Sequence, residues 1–261
     1  MSETPFFRVA IPARYQSTRL PGKPLLSIVG RPMVQWAYET GQRSGAAQVV
    51  VATDDARIVA VVRSFGGEVC LTRAEHASGT DRLAEVAEQL AWPDDDIVVN
   101  LQGDEPLLPP ELLAQVATGL QEHPDAGIAT LCTPIEDIDE IFDPNVVKVV
   151  FDHAGYALYF SRSPVPYHRL EFAHGKPREL PTDVNYWRHL GIYAYRASVL
   201  RGYRQLPKSP LENIEILEQL RGLWNGVRIH VQQAVAVPPP GVDTADDLSK
   251  INTWYARRMN V

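Results

Sequence analysis

The 261-residue sequence predicts an α/β fold, a mostly parallel sheet with helices on both faces, joined to an antiparallel insertion. Three observations predict it. Short apolar runs recur at 8–12, 48–53, 68–72 and 96–102 and read as buried strands. Amphipathic helical spacing fills the gaps between them, and strand–helix alternation this close requires right-handed crossovers that cover both sheet faces. After about residue 133 the pattern changes to short strand-like runs joined by a tight turn, as antiparallel pairing requires.

Taken in order, the first apolar run breaks at Pro12 into a polar loop carrying Arg14, Arg19 and Lys23, with Ser17, Thr18 and Gly22 between them. Pro32 opens a helix to about residue 43, with Met33, Trp36, Ala37 and Thr40 on one face. The run 48–53 is the next strand. Asp54 and Asp55 lead into a helix carrying Ile58, Val61, Val62 and Phe65, which stops at Gly66-Gly67. The strand 68–72 is followed by a loop and a helix over 82–91, then by the strand 96–102, which runs into Gly103-Asp104-Glu105-Pro106-Leu107. A helix at 111–121 and a strand at 127–133 complete this part.

The runs 146–151 and 156–161 flank Asp152-His153-Ala154-Gly155, a hairpin turn. A polar loop at 163–185 is long enough to suggest a functional role. A strand at 188–196 precedes one amphipathic helix over 209–224, with Leu211, Ile214, Leu217 and Leu220 inward. The strand 227–231 is followed by Pro238-Pro239-Pro240, a stiff connector that cannot join a central ladder. Asp243 sits where an N-cap belongs, ahead of a helix whose apolar stripe is Leu248, Ile251, Tyr255 and Met259.

A formal charge of −7 argues against nucleic acid as a bulk partner, because nucleic acids are held chiefly by clustered cations. An acidic chain that binds an anion must concentrate cations locally or recruit a metal. Cys70 and Cys132 lie in apolar runs without CxxC spacing, which fits reduced core residues in a reducing compartment. The N-terminal residues carry no basic region and no long apolar segment follows. A signal peptide or membrane insertion is therefore not expected, and a cytoplasmic location is.

The chemistry-bearing residues each admit two readings. A cationic loop beyond a strand's carboxyl end suits a polyanion such as a triphosphate, since Arg offers a planar fork and Lys a mobile charge. It could also be an exposed basic loop. The Walker pattern is missing, and Ala13-Arg14-Tyr15-Gln16-Ser17 replaces the Gly-x-Gly-x-x-Gly of a dinucleotide binder. Residues 76–82 can cap a helix or hold a base and phosphates, with Gly79 admitting a ligand to the backbone and Arg82 in the first helical turn. Asp104, at the end of a buried strand, can cap a helix or ligate Mg²⁺, which prefers hard oxygen donors. His189 and Tyr193 can be core residues, and the acids of 209–224 a solvated face.

The spacing Arg-x-x-Ser-x-Arg-Leu-Pro-x-Lys-Pro-Leu, from Arg14 to Leu25, resembles the nucleotide loop of the CMP-Kdo synthetase family, the 3-deoxy-manno-octulosonate cytidylyltransferases. Ser-Gly-Thr-Asp-Arg at 78–82 is similar to the family's second nucleotide motif, and Leu-Gln-Gly-Asp-Glu-Pro-Leu at 101–107 to its metal motif. The strings at 159–166, 188–196 and 217–221 resemble its sugar-binding segments, and 240–248 its second metal motif.

The resemblance spans almost the whole chain. It implies a Rossmann-like sheet of the nucleotide-diphospho-sugar transferase type, in one domain with a nucleotide-binding part at about 1–133 and 227–261 and a sugar-binding and dimerisation insertion at about 134–226. It implies Mg²⁺-dependent transfer of a cytidylyl group from CTP to the anomeric hydroxyl of Kdo, giving CMP-Kdo and pyrophosphate for lipopolysaccharide biosynthesis. Arg14, Arg19 and Lys23 would serve the triphosphate, and Asp104 and Asp243 the metal; these five are the expected catalytic residues. Ala13, Ser17, Ser78, Gly79, Thr80, Arg82 and Gln102 complete the expected nucleotide contacts. Arg162, His189, Tyr193, Glu218 and Gln219 would hold the sugar, with Arg162 on its carboxylate. The family forms homodimers, and the strands near 156–160 and 190–195 are the expected surface. Alternatives are a related acidic sugar, such as 8-amino-Kdo or a sialic acid, or a silent CTP-binding sensor.

Overall fold

The computed structural model describes residues 5–16 and 20–259, without the side chains of the last three. Ser17, Thr18 and Arg19 lie outside the described residues, as does the side chain of Met259.

The first strand, β1 (Phe7–Pro12), has Val9, Ala10 and Ile11 fully buried because strands flank it on both edges. A 3-10 turn (Lys23–Leu25) and a two-strand ribbon, β2 (Ser27–Ile28) and β3 (Arg31–Pro32), lead into α1 (Met33–Arg43). Then follow β4 (Gln48–Thr53), α2 (Ala56–Ser64), β5 (Glu68–Leu71), α3 (Gly79–Gln89), β6 (Ile97–Asn100), α4 (Pro110–Glu122) and β7 (Ile128–Pro134). The remainder comprises α5 (Ile138–Phe142), β8 (Lys148–Phe151), β9 (Ala157–Ser161), β10 (Trp187–Arg196), α6 (Ala197–Tyr203), α7 (Pro210–Glu215), α8 (Gln219–Trp224), β11 (Ile229–Gln233) and α9 (Ala245–Met259).

The main sheet runs β11-β7-β10-β6-β1-β4-β5, with β8 and β9 branching from β10. Strand β1 pairs in parallel with β4 and β6, and β7 in parallel with β11. Only β10 on this path is antiparallel, to both β6 and β7. The chain moves outward from β1 to β4 and β5, then returns to lay β6 on the other side of β1. That reversal opens a crevice at the carboxyl ends of β1 and β6, where open α/β sheets receive ligands. One apolar core lies between the sheet and α1, α2 and α4; the other lies against α3, α6 and α8. No described helix is long and apolar enough to cross a membrane. Both cysteines are free and buried, and burial pushes the Cys132 thiol up to about 12.

Four local departures from the expected elements matter. Helix α3 begins at Gly79, three residues early, because the Ser78 side chain accepts from the Asp81 amide. The expected continuous helix over 209–224 is broken at Ile216, which takes the left-handed conformation at φ 54°. Strand β10 runs through the middle of the sheet, so 190–195 cannot be a dimer surface. Asp243 is not the cap of α9: Thr244 Oγ1 accepts from the Asp247 amide at 3.2 Å while Asp247 accepts from Thr244, a reciprocal capping arrangement that leaves the Asp243 carboxylate for other work.

Candidate active site

Two neighbouring cavities lie beyond the carboxyl ends of β1 and β6. The larger, about 430 Å³, is lined by Ala13, Arg14 and Gln16 after β1, Lys23 and Pro24, the 77–79 turn, Gln102 to Asp104 after β6, and Asp243. The smaller, about 120 Å³, is lined by Gly79, Thr80, Asn100, Gln102, Tyr193, Tyr195, Tyr203, Glu218 and Gln219. Gly79 and Gln102 belong to both walls, so the cavities meet at that seam.

In the larger cavity, residues distant in sequence converge on one cation. Lys23 Nζ donates to Asp104 Oδ2 at 2.6 Å and to Asp243 Oδ1 at 3.0 Å. Backbone docking brings the two acids together. The Val242 amide donates to the Asp104 carbonyl at 2.8 Å, and a Cβ at position 241 would sit 3.2 Å from that same oxygen. A side chain there would crowd this close approach, which glycine leaves open. Lys23 is aimed by Gly22, which adopts φ 68° and stacks beneath the Tyr15 ring, where an added Cβ would meet ring carbons at 3.2 Å. Arg14 donates through Nη2 to the carbonyls of His76 and Ser78, the latter at 3.2 Å, and so ties the 76–79 turn to the end of β1. Glu105 does not line this cavity. Burial and the neighbouring Asp104 charge push its carboxyl up to about 8, so it is largely neutral at pH 7.

In the smaller cavity, Glu218 Oε2 accepts from Thr80 Oγ1 at 3.2 Å, and burial raises this carboxyl above the ordinary range. The helix break at Ile216 is what sets Glu218 here, at the start of α8 rather than on a solvated face. His189 stands beside the cavity: its ring lies 5.4 Å from that of Tyr193 and its Nε2 is 3.0 Å from Thr130 Oγ1. Burial lowers its pKa to about 3, which leaves it neutral at pH 7.

A family model described as cytidylyltransferase matches residues 9–229. The 3-deoxy-manno-octulosonate cytidylyltransferase of Nitrosococcus oceani is 57% identical over 245 residues, covering 94% of this chain and 95% of that one. The enzyme of the same name from Pseudomonas syringae pv. tomato is 57% identical over 248 residues, 95% of this chain and 97% of its own. The chain belongs to the cytidylyltransferase family. A solved structure of CMP:2-keto-3-deoxy-manno-octonic acid synthetase complexed with CTP superposes at a TM-score of 0.87, with 45% identity and coverage of 97% of this chain and 99% of that one.

The structure of this cytidylyltransferase gathers most of the expected site residues but not all. Ala13, Arg14, Lys23, Ser78, Gly79, Gln102, Asp104 and Asp243 line the larger cavity; Thr80, Tyr193, Glu218 and Gln219 line the smaller. Arg82 lines neither. It is fully buried under the 78–81 turn, donating to Thr72 Oγ1 at 2.5 Å and pairing with Asp54 at 3.1 Å, because helix α3 starts early and turns it inward. Arg162 lines neither cavity: its guanidinium donates to the carbonyls of Glu215 and Pro144, both at 2.7 Å. Ser17 and Arg19 lie outside the described residues.

Sequence reasoning missed Asn100, Tyr195 and Tyr203. Asn100 left a signal, an amide inside the all-apolar run of a buried strand where Asn is disfavoured. The tyrosines left none that separates them from core.

The residues also fit a divalent cation. Asp104 and Asp243 are hard oxygen donors already converging on one positive charge. Among the described residues no cluster of three His, Cys, Asp or Glu side chains gathers, so phosphate oxygens and water would complete the coordination.

Proposed function

We propose that this cytidylyltransferase uses the two joined cavities to transfer CMP from CTP to Kdo. The observation that carries the reading is the seam: a cationic and acidic cavity sized for a nucleotide meets a hydroxyl-accepting cavity at Gly79 and Gln102. The curated relatives are named for this reaction, and the structural relative was solved with CTP. The anomeric hydroxyl of the sugar attacks the α-phosphorus. The new oxygen–phosphorus bond forms as the bond to the β-phosphate bridging oxygen breaks, pyrophosphate leaves with the electron pair, and the hydroxyl proton passes to solvent.

The chain's own groups divide this work. The 77–79 turn, held by Arg14, presents the α3 N-terminus to the nucleotide. Lys23 is placed to neutralise charge that grows on the leaving group. Asp104 and Asp243 would hold Mg²⁺, which when bound acidifies a coordinated hydroxyl and draws charge from the phosphates. Tyr193, Glu218 and Gln219 would orient the sugar, with His189 neutral behind Tyr193. Arg19 is assigned with Lys23, and Ser17 with the nucleotide, on the motif alone.

A homodimer is part of the same proposal. Leu158 on β9 and Ile214 and Ile216 beside Glu215 are exposed, and Glu215 ties α7 to β9 by accepting from Ser161 Oγ at 2.6 Å. The exposed Leu158 keeps 156–160, rather than the largely buried 190–195, as the expected dimer surface. Free buried thiols suit a reducing cytoplasm.

Pyrophosphate release over a panel of CTP, UTP and ATP with Kdo, 8-amino-Kdo and N-acetylneuraminate tests the reading. CTP with Kdo is expected to dominate by at least about tenfold in kcat/KM, a difference of about 1.4 kcal/mol. Preference for another sugar would reassign the substrate. Nucleotide binding without turnover of any sugar would favour the sensor.

A further inference from the structure

Asn100 is the last residue of β6, paired with Ala10 of β1 and directly opposite Tyr193 of β10. Its strand alternates regularly. Ile97 and Val99 face the core beneath α4, Val98 faces the core beneath α3, and Asn100 continues on the Val98 side. An apolar residue would complete that face, yet an amide stands there with 4% of its surface exposed. Its Oδ1 is buried and has no hydrogen-bond partner among the described residues. Glu218 Oε1, on the wall of the same small cavity, is buried and unpartnered in the same way.

Two orphaned acceptors in one cavity are costly alone, because each gave up water without a replacement donor. Acceptors at the floor of a binding pocket recover that cost only when the ligand brings the donors. We propose that Asn100 is a specificity-determining residue: its Oδ1 accepts from a hydroxyl of the sugar, and Glu218 Oε1 accepts from a second. The inference rests on the sugar occupying this cavity, as assigned above. A site built to receive a hydroxyl rejects an analogue lacking it far more strongly than an apolar pocket rejects a missing methylene, since the buried acceptor is left unpaired. Asn100 therefore confers preference for polyhydroxylated acidic sugars over their deoxy counterparts.

The test compares kcat/KM for Kdo with that for its 4-, 5-, 7- and 8-monodeoxy analogues, in wild type, Asn100→Leu and Asn100→Asp. Leu conserves the volume and removes the acceptor; Asp keeps an acceptor. Wild type is expected to disfavour at least one analogue by about 10²-fold or more. Asn100→Leu should lose about 10- to 100-fold on Kdo and at most about threefold on that analogue, so the discrimination collapses. Asn100→Asp should retain most of it. CTP affinity by calorimetry should stay within about twofold of wild type in both variants, which a general packing defect would not allow. If Asn100→Leu does not fold, Asn100→Ala carries the same comparison. Equal loss on Kdo and all four analogues, or no loss, overturns the proposal. Wild-type turnover of Kdo reports separately on the assigned reaction. Were another acidic sugar the substrate, the ratio would be read on its deoxy series, and a flat ratio there overturns the role of Asn100 equally.

Discussion

At the scale of single residues, the site is organised by Lys23. Its ammonium occupies the place where the carboxylates of Asp104 and Asp243 meet, so one lysine is counter-ion to both. Removing either acid removes a hard oxygen donor that would hold Mg²⁺ against the reacting phosphates. Asp104→Asn and Asp243→Asn should each lower kcat by about 10²-fold or more, measured by pyrophosphate release at saturating Mg²⁺. Near-normal turnover would exclude that acid from the metal site. Lys23→Met makes an opposing pair of changes. With the competing cation gone, Mg²⁺ affinity of the nucleotide-free protein should rise on the order of tenfold by calorimetry. Turnover should nevertheless fall about 10- to 100-fold, because the leaving group loses a charge-assisted partner. Tighter metal binding with unchanged turnover would separate Lys23 from the chemistry. Asp104 was legible in sequence as a strand-end carboxylate and Asp243 only as an N-cap acid within a family-like motif. Their shared lysine was not legible, since the Gly241–Asp104 backbone docking brings them together.

At the scale of elements, the hairpin of β8 and β9 depends on a buried cation. Lys148 is fully buried, and its Nζ donates to the carbonyls of Asp143, Val146 and Arg162 at 2.9, 2.6 and 2.6 Å. It joins the strand's entry to the loop that leaves β9. Lys148→Met would orphan three carbonyls in an apolar setting and should destabilise the fold by at least about 2 kcal/mol in urea titration. A variant as stable as wild type would mean that those carbonyls find other partners. Arg162, next door, is engaged by carbonyls in the same way, which is why a reading of its motif alone points to the sugar and the geometry to the hairpin. Periodicity revealed the longer helices and the buried strands, but not the short α5 and α6 or the β2–β3 ribbon. It could not reveal the break at Ile216, because the apolar spacing of Leu211, Ile214, Leu217 and Leu220 runs through it unbroken. That break is what places Glu218 in the small cavity.

At the scale of the molecule, two histidines held in neutral form, His230 buried and His189 half-buried, link stability to pH. His189 lies inside the sheet, with its pKa lowered by burial to about 3. His230 stacks on His123 at 3.4 Å between ring centroids, near Tyr156, Arg228 and Asp152; burial, then the neighbouring His123, lowers its pKa to about 4. Both values fall below the ordinary 6.5, so below that pH the unfolded chain binds protons that the folded chain refuses. This contribution to stability is complete above about pH 6.5 and is lost as pH falls toward 4 and then 3. The melting temperature should decline steadily across that window, and His230→Asn should flatten the upper part of the decline. An unchanged slope in that variant would remove His230 from the account.

The central claim is that nucleotide and sugar occupy adjoining cavities that meet at Gly79 and Gln102. The most direct measurement is a crystal structure with CTP, Mg²⁺ and 2-deoxy-Kdo, a sugar that lacks the attacking hydroxyl and cannot react. The account predicts the triphosphate beside Lys23, Asp104 and Asp243, the sugar against Asn100, Tyr193 and Glu218, and C2 of the sugar facing the α-phosphorus across the seam. A sugar seated instead on Arg162, outside the small cavity, would contradict it.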